Sequence, residues 1–164
     1  MERAISCFRE ALEKSTARTS LESDRSRSNG THTLSQRAEI NISLGIAYRD
    51  RILGLKENKT EEAIKYFRAA LNELREDERT HVECALTNMN LGLAYQSRAW
   101  GTKAQNVEDA ILYFVRASRI HLSPQTLQDW AKIQLNLGMA YMIRFFGDRE
   151  DNIEDAIYYF RNVL

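Results

Sequence analysis

Proline, cysteine and long apolar runs are nearly missing from this 164-residue chain. One Pro and seven Gly leave little turn chemistry, which favours long helices. Cys7 and Cys84 stand without a C-x-x-C neighbour, so neither a zinc knuckle nor a disulfide framework is indicated and both read as small core residues. A reducing, cytoplasmic setting is the expectation. The apolar run Ala110 to Val115 falls far short of the ~20 residues of a membrane span, and the opening MERAISCFRE is charged and amphipathic. Lys plus Arg equals Asp plus Glu at 23 each, which removes the simplest electrostatic case for nucleic acid or an anionic membrane. With 43% hydrophobic and 28% charged residues, the composition suits one soluble domain able to bury a core.

Chemistry-bearing constellations are missing as well. His32, His81 and His121 are scattered, and none stands four residues from another as a helical metal pair requires. HVEC at 81–84 has the His-x-Glu of zinc deaminases but no Pro-Cys-x-x-Cys after it, so no metal cage can form. No Gly-rich phosphate loop, G-x-S-x-G elbow or Cys-His dyad is visible. The expectation is a protein without catalytic residues, metal or cofactor. Triplets at Asn29, Asn41 and Asn58 match the glycosylation pattern by chance in a chain with no secretion signal. SDRSRSNG at 23–30 could accept phosphate but reads first as a solvated linker.

What is present is repetition. Leu44-Gly45-Ile46-Ala47-Tyr48 returns as Leu91-Gly92-Leu93-Ala94-Tyr95 and as Leu137-Gly138-Met139-Ala140-Tyr141, with the glycines 47 and 46 residues apart. In the same register Arg51, Arg98 and Arg144 each precede a glycine by three, at Gly54, Gly101 and Gly147. Nine residues later comes Ala63, Ala110 or Ala156, then Ile, then Phe67, Phe114 or Phe160. A fixed period in this range marks a stacked repeat. The opening fits the second half of the unit, with Ala4, Ile5, Phe8 and Ala11 matching Ala63, Ile64, Phe67 and Ala70. The chain thus divides into a half repeat at 1–14, an inserted Ser/Arg-rich loop at 15–35, and whole repeats at 36–78, 79–123 and 124–164.

Each unit reads as two antiparallel helices. The first, over 34–53, 79–100 and 125–146, carries two apolar stripes at helical spacing: Leu137, Tyr141 and Phe145 form one, and Leu135, Met139, Met142 and Phe146 the other. Two stripes mean two faces that are buried or able to bind. The second helix, over 60–75, 106–121 and 152–164, is expected to start near Glu61, Glu62, Glu108, Asp109, Glu154 and Asp155, where carboxylates suit the positive end of the helix dipole. A glycine inside a helix costs about 1 kcal/mol relative to Ala, so its threefold recurrence at Gly45, Gly92 and Gly138 implies a close helix crossing. Ala63, Ala110 and Ala156 are expected to supply the flat opposing surface, with Tyr and Phe filling the space beside them.

Leu-Gly-x-Ala-Tyr followed by Ala-Ile-x-x-Phe resembles the tetratricopeptide repeat, whose ordinary unit has about 34 residues. The longer unit here looks like a bacterial, largely cyanobacterial branch with the flavour WAxxQxNLGxAYxxRxxGDRxxNxExAI. Trp130, Ala131, Gln134, Asn136 to Gly138, Ala140, Tyr141, Arg144, Gly147 to Arg149, Asn152, Glu154, Ala156 and Ile157 meet it. The two earlier repeats lack the Trp and the Gly-Asp-Arg triplet. The resemblance implies an all-α fold, a right-handed α-solenoid of about seven helices, acting as a protein-interaction scaffold. In that branch such repeats often precede a caspase-like CHAT domain, so the alternative is a recognition segment of a larger protease whose activity lies outside these residues.

Tetratricopeptide arrays hold a peptide or helix in the concave surface lined by their first helices. Carried over, that surface comprises Glu39, Ile42, Ile46, Arg49 and Asp50; then Leu86, Met89, Leu93, Gln96 and Ser97; then Lys132, Leu135, Met139, Met142 and Ile143. An apolar anchor is expected near Met89, Leu93, Met139 and Met142, where methionines suit adaptable contact, and a charged reading position near Arg49 and Asp50. The opposing expectation is that these residues only pack. Arg51, Arg98 and Arg144 read as a carboxylate or phosphate ladder or, in preference, as helix-end arginines pairing with the acidic start of the next helix. The chain opens and closes inside second helices, which suggests a piece of a longer array; if it is whole, self-association through Ile157, Tyr158, Phe160 and Leu164 is expected.

Overall fold

The computed structural model describes residues 2–22, 30–50, 56–74, 80–119 and 123–164. Those residues form seven helices and no strand: α1 (Glu2–Glu22), α2 (Gly30–Arg49), α3 (Lys56–Glu73), α4 (His81–Ser97), α5 (Lys103–Ala117), α6 (Leu127–Met142) and α7 (Arg149–Arg161). None of them is long and apolar enough to cross a membrane. Contacts divide the chain into two units, Met1–Arg75 and Glu76–Leu164. In the first, α2 packs along α3 and against α1; in the second, α4 pairs with α5, α6 pairs with α7, and α6 also lies on α5.

The boundaries explain themselves locally in the second unit. Gly101 and Gly147 adopt φ of +80° and +81°, a left-handed conformation open to glycine at little cost, and each turns the chain back on itself. One residue later Thr102 and Asp148 are extended and cap the following helix: Thr102 Oγ1 accepts from Gln105 N–H at 3.1 Å, and an Asp148 carboxylate oxygen accepts from Glu150 N–H at 2.7 Å. The second helices therefore start three residues earlier than the acidic pairs suggest. Glu108 and Glu154 lie in the second turn, and α5 has no acidic residue in its first. The dipole argument accordingly does not account for Glu108.

Two other expectations are corrected. The helices α1 and α2 run to Glu22 and from Gly30, so much of the 15–35 insertion is helical and only 23–29 lies outside the described residues. Cys7 is exposed rather than a core residue, and Cys84 is half-buried.

The recurrent glycine makes room for a ring. A Cβ built on Gly45, Gly92 or Gly138 would fall 2.5, 2.4 or 2.5 Å from the nearest ring carbon of Phe67, Phe114 or Phe160. The close approach is thus phenylalanine on helix backbone. Ala63, Ala110 and Ala156 are buried as expected, but they are not what the glycine accommodates. Three residues after each alanine stands a tyrosine, and Tyr48–Tyr66, Tyr95–Tyr113 and Tyr141–Tyr159 stack with centroids 5.4, 5.3 and 5.4 Å apart. Glycine–phenylalanine and tyrosine–tyrosine contacts together fix the register of each first helix on its second.

Gly92→Ala gains about 1 kcal/mol of helix propensity but forces a methyl into Phe114, which is fully buried and cannot step aside, at about 1–3 kcal/mol. Urea denaturation should show a net loss of stability. Gly138→Ala should cost less, because Phe160 is only half-buried; an equal or smaller loss at Gly92 would contradict this account.

Candidate functional site

The first helices of the second unit present their two stripes differently. On α6, Ile133, Leu137 and Ala140 are buried, while Leu135, Met139 and Met142, at i, i+4 and i+7, are 42%, 47% and 48% exposed. Ile143 and Phe146, just past the helix, are exposed as well. The same register on α4 places Met89, Leu93 and Gln96, all half-buried, and α4 touches α6. Six of the residues expected to line a binding surface thus lie on equivalent faces of two neighbouring helices. The apolar surface left open is concentrated on α6.

In the first unit Ile42 and Ile46 are half-buried on α2. Arg49 and Asp50 close on each other, Nε to Oδ1 at 2.8 Å and Nη2 to Oδ2 at 3.3 Å. The charged reading position is therefore a self-paired arginine and aspartate. Of the other predicted lining residues, Glu39, Ser97 and Lys132 are exposed and Leu86 is half-buried. Among the described residues no group of three or more His, Cys, Asp or Glu is placed to hold a metal ion.

The arginine at the end of the first helix has a specific job in the second unit. Arg144 forks onto Glu108 of α5, Nε to Oε1 at 2.8 Å and Nη2 to Oε2 at 3.0 Å, and its Nη1 donates to Asn152 Oδ1 at 3.4 Å. Its guanidinium also stands 5.5 Å from the Tyr141 ring centroid, and Glu108 raises its pKa further. The partner carboxylate belongs to the preceding helix pair, not to the next helix as expected from sequence. Arg98 stacks likewise on Tyr95, at 5.6 Å; Arg51 and Gly54 lie outside the described residues.

Arg149 and Asn152, which meet the repeat pattern, have counterparts in Lys103 and Asn106 that sequence reading did not draw out. Asn106 Nδ2 donates to the carbonyls of Arg98 and Trp100, and Asn152 Nδ2 to that of Phe146, so a buried amide ties each glycine turn to the helix after it. Lys103 Nζ and Arg149 Nη1 donate to the carbonyls of Gln96 and Met142, supplying cations where a helix end carries partial negative charge. Both patterns follow the 46-residue register and could have been found by extending the alignment four and seven residues ahead of Ala110 and Ala156. His81 is engaged with the Arg119 carbonyl at 3.0 Å.

No family model, curated protein or solved structure matches the chain.

Two measurements follow from the arginine and its tyrosines. The fork between Arg144 and Glu108, with side chains 27% and 25% exposed, should show a coupling of about 1 kcal/mol in a double-mutant cycle of Arg144→Met and Glu108→Gln; additive losses would remove it as a structural clamp. Burial, helped by the Tyr141 hydroxyl and Asp155, lifts the Tyr159 phenol from 10.0 to about 12. A phenol that resists ionisation only when folded stabilises below its unfolded pKa and loses that contribution as pH rises from about 10 to about 12. Urea midpoints should fall across that window, and Tyr159→Phe should flatten the fall.

Proposed function

We propose that this chain is a non-catalytic protein-interaction scaffold of the tetratricopeptide kind, its helix pairs stacked as a right-handed solenoid, and that it grips an apolar segment of a partner along the first helices. The observation that supports this is the α6 stripe. One face of the helix is fully buried at Leu137 and Ile133, while Leu135, Met139 and Met142 stay about half open to water. Apolar side chains at i, i+4 and i+7 match the spacing at which a helical ligand presents its own anchors. Methionine adapts to more than one partner shape, and Met89 and Leu93 on α4 extend the same surface. Arg49 and Asp50, paired with each other, are not used to read charge in this proposal. Neither Cys7 nor Cys84 forms a disulfide, which agrees with a reducing cytoplasmic setting.

Peptides selected from a random displayed library on the wild-type protein should lose binding by about a hundredfold when Met139→Glu and Met142→Glu are combined, with helical circular dichroism unchanged. Both side chains are exposed, so the fold should tolerate the change. Undiminished binding of every selected peptide would refute the proposal.

A further inference from the structure

Six of the seven tyrosines form the three stacks, and the seventh, Tyr158, joins one of them. Tyr158 meets Tyr159 edge on, with centroids 5.3 Å apart and ring planes at 74°. Tyr159 in turn lies on Tyr141 at 5.4 Å. Three phenol rings thus run in unbroken contact from water into the interface of α6 with α7. Tyr158 is 61% exposed, and Leu112, its counterpart on α5, is 47% exposed, so this position faces outward even where another helix pair follows. On α3 the counterpart is Lys65, whose ammonium stands 5.5 Å from the Tyr66 ring centroid. Neither an alkyl group nor an ammonium gives up an electron readily, and only the stack of Tyr141 and Tyr159 is reached from solvent through an oxidisable side chain. Phe160, turned in against Gly138, takes no part in the cluster.

We infer that Tyr158, Tyr159 and Tyr141 form an oxidative modification site: a diffusible one-electron oxidant enters at Tyr158, and the rings of Tyr159 and Tyr141 are joined as dityrosine, a covalent staple between α7 and α6. A phenol loses its electron together with the hydroxyl proton, because its radical cation is a strong acid, and a neutral phenoxyl remains. Tyr158 in that state takes an electron from Tyr159 through the ring contact and a proton from solvent, while Tyr159 releases its own hydroxyl proton. Unpaired density in a phenoxyl lies on the oxygen and on the ortho and para carbons. The para carbon carries Cβ, so the new bond forms at an ortho carbon. The Tyr159 radical adds there to Tyr141, whose ring is parallel to within 25° and whose hydroxyl stands beside that of Tyr159. A second equivalent of oxidant takes one more electron, the two ring hydrogens at the new bond leave as protons, and one proton returns to the Tyr159 oxygen. The pair has then lost two electrons and two protons and gained one carbon–carbon bond. Arg144, 5.5 Å from the Tyr141 ring centroid, opposes positive charge on that ring, which leaves Tyr159 as the radical and Tyr141 as its acceptor. Held in contact, the two rings couple with each other ahead of any tyrosine that must arrive by diffusion.

The probe is photo-oxidised tris(bipyridine)ruthenium, generated with persulfate and light, acting on an equimolar mixture of ordinary and isotopically labelled full chain. Trypsin releases Tyr141 on one peptide and Tyr158 with Tyr159 on another, and a cross-link of unmixed isotopic composition marks coupling within one chain. Dityrosine between Tyr141 and Tyr159 is expected as the leading product of that kind. Tyr158→Phe, which keeps the ring and removes the phenol, should lower its yield about tenfold. Leu112→Tyr, at an exposed position, supplies the missing entry ring to the second stack and should raise coupling of Tyr95 with Tyr113 by a similar factor. Helical circular dichroism should be unchanged in both variants. Equal yields from the three stacks, a yield indifferent to Tyr158→Phe, coupling of Tyr95 with Tyr113 unmoved by Leu112→Tyr, or no coupling within a chain overturns the inference. A leading product that joins Tyr158 to a tyrosine of another chain would make it a surface tyrosine only and overturn the inference as well.

Discussion

A phenylalanine ring pressed against a glycine Cα is the contact on which each helix pair depends. It draws the two axes together more closely than any side chain at that position would permit, and it does so at one point along the helix. Once that point is set, the tyrosine stack one turn away can fall into line, and the alanines find themselves buried between backbones. Aromatic burial of this kind is large in area and specific in geometry. The helix-propensity penalty of the glycine is small beside it. The pairing of α2 with α3, α4 with α5 and α6 with α7 thus rests on three copies of one steric fit.

The connection between pairs in the second unit is of a different nature. Within a pair the contact is chiefly apolar and buried, with neutral side-chain bonds such as Asn162 to Gln134 at its margin; between α5 and α6 it joins apolar sealing to a half-buried ionic fork. Such a fork adds modest energy and considerable directional control, since a guanidinium and a carboxylate meet in only a few orientations. Arg144 also lies over Tyr141 and touches Asn152, so the residue that links two pairs is itself positioned by the stack and the turn of its own pair. The open stripe of α6 is a product of the same arrangement. With one side committed to α7 and another to α5, Leu135, Met139 and Met142 are the residues left facing water.

Much of this was legible in the sequence because the governing signals are local and repeat. Helical spacing, the 46-residue register, the stripe of Leu135, Met139 and Met142, and the need for a missing side chain at Gly45, Gly92 and Gly138 could all be read along the chain, whereas Phe145, aligned by spacing with Leu137, lies past the end of α6 and is exposed. Partner identities could not. That the glycine meets Phe114 rather than Ala110 depends on the rotation of one helix about another, a tertiary quantity. The carboxylates at Glu108 and Asp109 looked like a helix start because capping by Thr102, a less conspicuous signal, sits further upstream. Arg144 was recognised as a helix-end arginine, but the choice between preceding and following acidic helix is made by packing alone. That Arg49 and Asp50 bond to each other is likewise a matter of side-chain placement that residue order alone does not give.

The spacing of the Glu108–Arg144 clamp bears on how such a chain can change its length. Its two ends belong to successive pairs, so the linkage depends on the length of chain that separates them. An insertion or deletion between Glu108 and Arg144 shifts the guanidinium away from its carboxylate and breaks the match. The turn between α5 and α6 is therefore held to a set length by a contact formed well away from it.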